Sequence, residues 1–139
     1  MSRIETALIV LPLPHPCLSP NRPPASRGGR YKKASASKRY RRLAREATEV
    51  LGIDSGPWGR ATVAATFYHR VKRRRDDVNA LASLKAAYDG VVDAGLLVDD
   101  DAEHLTTTGA AFAIDKANPR VELTFTRSSE GSPGSRPRT

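Results

Sequence analysis

A chain of 139 residues is long enough to bury one core and too short for two sizeable ones, so one domain over residues 1–127 with a tail at 128–139 is expected. Lysine and arginine number 23 against 15 aspartates and glutamates, a net charge of +8 that favours a polyanionic partner such as nucleic acid. No apolar run approaches the roughly 18 residues of a membrane span, and the single cysteine, Cys17, excludes an internal disulfide and a thiolate-rich zinc site; a cytoplasmic protein is expected.

In chain order, Ala7-Leu-Ile-Val-Leu11 is short, branched and stopped by Pro12, which predicts a buried strand. From Pro12 to Pro24 six prolines and Asn21 forbid regular structure, and Arg27-Gly-Gly-Arg30 extends this stretch into a flexible basic loop over residues 12–34. Ser35 or Ser37 then caps a helix running to about Leu51, with Tyr40, Leu43, Ala44, Ala47, Val50 and Leu51 at helical spacing and Gly52 closing it. Strict alternation of Val63, Ala65 and Phe67 predicts a strand over 61–68. A second helix is expected from Val78 to Ala94, carrying Val78, Leu81, Leu84, Tyr88, Val91 and Val92 on one face and ending at Gly95. His104–Ile114 and Arg120–Arg127 read as two strands joined around Asn118-Pro119 in a hairpin, and the residues from Ser128 onward as a disordered basic tail. The order β-α-β-α-β-β predicts an α+β fold, a mixed sheet with two helices packed on one face.

Charge is segregated along the chain: ten basic residues and no acid lie between Arg22 and Arg45, whereas residues 76–103 hold eight of the acids. The two signs meet where Arg70-Val-Lys-Arg-Arg-Arg75 runs directly into Asp76-Asp77. For a nuclease this has a mechanical meaning. Cations such as Arg27, Arg30, Lys32, Lys33, Lys72, Arg73, Arg74 and Arg75 hold backbone phosphates, while carboxylates hold a hard divalent cation, Mg²⁺ or Mn²⁺, against the phosphate to be cut. Asp76, Asp77, Asp99, Asp100 and Asp101 are the carboxylates available. Three in succession repel one another, and without a cation this mildly destabilises the fold or raises a pKa. Lys85 and Asp89 are four apart and form a helical pair, and a lysine beside a metal cluster also suits neutralisation of phosphorane charge. Asn79 reads as a capping residue, and His15, His69 and His104 lack the mutual spacing of a metal site.

Arg73-Arg-Arg-Asp-Asp-Val-Asn79, Lys85-Ala-Ala-Tyr-Asp-Gly90 and Asp93-Ala-Gly-Leu-Leu-Val-Asp-Asp-Asp101 together resemble the RusA family of Holliday-junction resolvases. Leu11-Pro-Leu-Pro14, Asn21 and the closing Arg120-Val-Glu-Leu-Thr-Phe-Thr126 extend the resemblance over nearly the whole chain up to the tail. It implies a homodimeric, Mg²⁺-dependent enzyme, found in phages, prophages and bacteria, that cuts four-way DNA junctions symmetrically in recombination and repair. It also implies that Asp76, Lys85 and Asp100 are catalytic and that the metal is held by Asp76, Asp99 and Asp100. The family's second acid falls on Val78, so Asp77 is the expected replacement both as ligand and in catalysis. That departure leaves a second reading open, a catalytically weak or inactive branched-DNA-binding protein.

Overall fold

Alternation of apolar and polar residues builds a sheet with one wet and one dry face. In the computed structural model, which describes residues 5–18, 27–53, 55–72 and 77–128, β1 (Thr6–Leu11) turns Ala7, Ile9 and Leu11 inward and β2 (Ala61–His69) turns in Ala61, Val63, Ala65 and Phe67. β4 (Arg120–Arg127) contributes Val121, Leu123 and Phe125, all fully buried, each burial stabilising by roughly 1.5–3 kcal/mol. The architecture is the expected α+β one, a four-stranded mixed sheet in the order β1-β4-β2-β3, where β3 is Leu105–Ile114.

β3 and β4 do not form the expected hairpin. β4 pairs antiparallel with both β1 and β2, aligning Ile9 with Leu123 and Leu123 with Ala65, while β3 pairs parallel with the far side of β2. Burial explains the order. β4 has an unbroken dry face that suits the middle of the sheet, whereas β3 carries exposed Thr106, Thr107, Thr108 and Gly109, which an edge strand tolerates. A register shift between Val63 and Ala65 inserts one extra residue of β3 at that point.

Helix α1 (Arg27–Val50) is longer than its sequence signals predict and takes up part of the expected loop. Arg30, Lys32, Lys33 and Ala34 are good helix formers, so a helix nucleated beyond them propagates back through the unfavourable Gly28-Gly29. Pro16–Leu18 likewise forms a 3-10 turn, closed by a Leu18 N–H to His15 carbonyl bond of 2.9 Å, because the proline ring presets its first φ. Tyr40, Ala44 and Thr48 form the buried stripe of α1, but Val50 is 83% exposed, since the helix ends there and Gly52 takes φ +65° to turn the chain away.

The expected second helix is two. α2 (Asp77–Ala82) stops where the Ser83 hydroxyl donates to the Ala80 carbonyl at 2.6 Å and the Leu84 N–H to Leu81 at 3.1 Å, a tightened turn. α3 (Lys85–Asp93) then follows, with Leu84, Tyr88 and Val91 joining Tyr40 and Ala44 in the core over the dry face; Tyr88 meets Phe125 edge-on at 6.2 Å. At Gly90 the two long helices approach so closely that a Cβ would collide with the Arg41 carbonyl oxygen and lie 2.9 Å from the Ala44 Cβ. Gly95, at φ +90°, ends α3 as its sequence signal predicts. Among the described residues no helix is long and apolar enough to cross a membrane.

Candidate metal centre

The loop that carries the aspartates is set by a buried tryptophan. The Trp58 N–H donates to the Leu96 carbonyl at 2.7 Å, its carbonyl accepts from the Val98 N–H at 3.2 Å, and its indole N–H donates to the Ser55 hydroxyl at 2.9 Å. Residues 96–98 are thereby fixed beside the start of β2, and the chain next carries Asp99–Asp101 to the first turn of α3.

There Lys85 stands between two carboxylates. Its Nζ donates to Asp100 Oδ2 at 2.7 Å and to Asp89 Oδ1 at 3.0 Å. The Asp100 side chain is only 12% exposed. Its burial opposes ionisation, yet the Lys85 bond and charge, the bond to Asp99 and a backbone bond outweigh that opposition and hold its pKa below the usual carboxylate range. The same bond to Asp100, followed by that to Asp89, raises the Lys85 pKa, so the pair is ionised on both sides at neutral pH.

The neighbouring acids behave differently. Asp99 Oδ1 accepts the Asp100 N–H at 2.7 Å and so shapes the loop. Asp101 Oδ1 accepts from the Glu103 and His104 N–H groups at 3.2 and 3.1 Å and lies 2.6 Å from His104 Nδ1; the ring bond, above all, lowers its pKa. The rise in pKa expected from three successive carboxylates is therefore absent for Asp100 and Asp101, because Asp100 accepts from Lys85, and Asp101 from the Glu103 and His104 N–H groups and the His104 ring. His104 gathers acids rather than histidines: with Asp101 and Glu103, both exposed, the half-buried ring forms a group whose ligand atoms lie within 4.8 Å of one another, a spacing that could hold an ion. Its signal in the sequence is Asp-x-Glu-His within one turn, which a search among histidines alone misses. Glu103 and His104 also line a polar cleft of about 320 Å³ with Arg60, Thr62, Thr106 and Ser128; Asp100 and Lys85 do not reach it.

Of the other expected site residues, Asp77 begins α2 and Arg27 begins α1, but their side chains, like that of Val78, lie outside the described residues, as do Asn21, Asp76, Arg73, Arg74, Arg75 and residues 129–139. Arg30, Lys32 and Lys33 lie along the first turns of α1, and Lys72 is exposed beyond β2. Sequence reasoning missed three cations: Lys38, Arg39 and Arg42 are exposed on α1 and, among the described residues, make no ion pair. Part of the charge segregation has a structural purpose, because the Arg41 guanidinium binds both Asp93 oxygens, at 2.6 and 2.9 Å, and ties α1 to α3.

The donor set suits a hard cation. Asp89 and Asp100 offer only oxygen, and a cation, the Lys85 ammonium, already sits between them. The chain matches no protein-family model and no characterised protein.

Proposed function

We propose that the chain is a metal-dependent endonuclease acting on DNA. More narrowly, its sequence resemblance supports a RusA-type resolvase of Holliday junctions, cytoplasmic and homodimeric. The observation that carries this reading is the half-buried pair of carboxylates, Asp100 and Asp89, gathered around one positive charge at the start of α3, on a domain whose α1 presents Lys38, Arg39 and Arg42, exposed and without an ion pair among the described residues. Asp100 and Asp89 hold the ion, Asp99 keeps the loop in shape, and Asp76 and Asp77, arriving from the basic run, complete the ligand set. Mg²⁺ or Mn²⁺, when bound, supplies the activated water and polarises the phosphate. Lys85, released from Asp100, neutralises charge on the pentacovalent phosphorus, while the cations of α1 and Lys72 hold backbone phosphates without reading bases. Two copies related by a two-fold axis present two such centres to a two-fold junction.

The deciding experiment is incubation of a synthetic four-way junction with the protein and Mg²⁺. Paired nicks, lost in Asp100→Asn, are expected; failure to bind the junction at all overturns the reading. One observation favours the second reading, a branched-DNA-binding protein without catalysis: Lys85 already neutralises Asp100 where an ion would sit. Binding without nicks at saturating Mg²⁺ selects it.

A further inference from the structure

Two tyrosines are buried side by side under α1 and α3, and they are not equivalent. Tyr40 donates its phenol proton to the Pro12 carbonyl at 2.7 Å. Tyr88 is only 7% exposed, and its hydroxyl oxygen, cut off from solvent, has no hydrogen-bond partner among the described residues. A leucine or phenylalanine would fill the same space against Phe125 without desolvating a hydroxyl for nothing. The hydroxyl therefore calls for a partner that this state of the site does not provide. Tyr88 lies one turn beyond Lys85 on α3 and beside Asp89, and the Asp100 carboxylate is near enough for its charge, after burial, to push the phenol pKa upward. Asp100 Oδ2 accepts from Lys85 Nζ at 2.7 Å, which holds this carboxylate against the turn of α3 that precedes Tyr88.

We infer that Tyr88 is the positioning residue for Asp100: its phenol donates to that carboxylate when Asp100 exchanges Lys85 for a divalent cation, and so fixes the plane in which the ligand binds. The inference rests on the metal-centre reading above. Carboxylates that ligate metals are themselves held by outer hydrogen bonds, and loss of such a bond typically weakens metal binding about 10–100-fold.

The test titrates the full chain with Mn²⁺ alone, by calorimetry, in the wild type, Tyr88→Phe and Asp100→Asn, with a thermal melt of each metal-free protein. Tyr88→Phe is expected to bind Mn²⁺ about 10–100-fold more weakly while melting no lower than the wild type. Addition of Mn²⁺ to the wild type should also perturb the tyrosine ultraviolet spectrum, and this change should vanish in Tyr88→Phe. Wild-type affinity in Tyr88→Phe, with binding lost in Asp100→Asn, overturns the role of Tyr88 and leaves the metal centre standing. A Tyr88→Phe melt that falls together with affinity reduces Tyr88 to packing. Undiminished binding in Asp100→Asn removes the metal centre itself, and the inference with it.

Discussion

Asp100 and Asp101 are consecutive and chemically identical, yet the fold gives them opposite circumstances. Asp100 is turned against α3, 12% exposed and clamped by a lysine from another element; Asp101 is 51% exposed and spends its oxygen on the backbone and ring of its own loop. A run of like charges is thus divided by geometry into one group committed across the structure and one committed locally. Only the first is placed to handle an ion in a partly dry site, where electrostatic interactions are strong.

The sharpest way to break the comparison is to neutralise each acid in turn. On the proposed reading of Asp100 as a metal ligand, Asp100→Asn should cut junction cleavage at least about 100-fold, since such a ligand commands several kcal/mol of transition-state stabilisation. Asp101→Asn should leave the rate within about threefold, because a residual amide still accepts the backbone N–H bonds. Single-turnover rates on one junction measure both, and equal losses would erase the distinction.

Second in size is the platform under Asp89. Gly90→Ala forces α3 off the Arg41 carbonyl and the Ala44 side chain, backbone and neighbour that cannot swing aside. Overpacking of this kind costs about 1–3 kcal/mol, a fall in melting temperature on the order of 10 °C. Mn²⁺ affinity should fall with it, because Lys85, Tyr88 and Asp89 ride on α3 while the 96–98 segment stays pinned to Trp58. Gly59, whose added Cβ meets nothing within 4 Å, is the control, and Gly59→Ala should melt near the wild type.

Much of this was legible in the sequence, and what was not has identifiable causes. Alternation at Val121, Leu123 and Phe125 announced a half-dry strand, but pairing partners are chosen by which strand has the longer dry face, a non-local property, so β4 left the apparent hairpin for the centre of the sheet. The break at Ser83 depends on a hydroxyl bonding its own helix, invisible in an apolar pattern that runs straight through it. Lys85 and Asp100 were each readable as candidate site residues, though not as partners in one ion pair. Asp89 was readable only as a helical ion pair, and Tyr88 only as core, because the loop that brings Asp100 to them is placed by Trp58, about forty residues earlier in the chain.

A smaller effect tests the tie that keeps α3 in register with α1. The Arg41 bond holds the Asp93 pKa below its ordinary value, so this carboxylate contributes stability above the unfolded pKa near 3.9 and loses it as pH falls through the folded pKa. Arg41→Gln should therefore melt a few °C below the wild type at pH 7, with the gap closing as the pH is lowered past the ordinary aspartate range. A gap that holds constant into strong acid would assign the loss to packing of the arginine stem.

The smallest effect belongs to the exposed group of Asp101, Glu103 and His104. His104→Ala removes the ring bond but keeps both backbone N–H groups that Asp101 Oδ1 accepts, so the loop should retain its shape and carry Asp100 to Lys85 unchanged. Cleavage and Mn²⁺ affinity at the Asp100 site should stay within about twofold and the melting temperature within about 2 °C, as befits an exposed pair. The stoichiometry of Mn²⁺ binding is the informative readout. If it falls by one ion in His104→Ala while the Asp100-dependent ion remains, Asp101 and its neighbours hold a separate ion at the surface. If instead His104→Ala weakens the Asp100-dependent ion, the two acids share one centre, and the division between neighbouring residues dissolves.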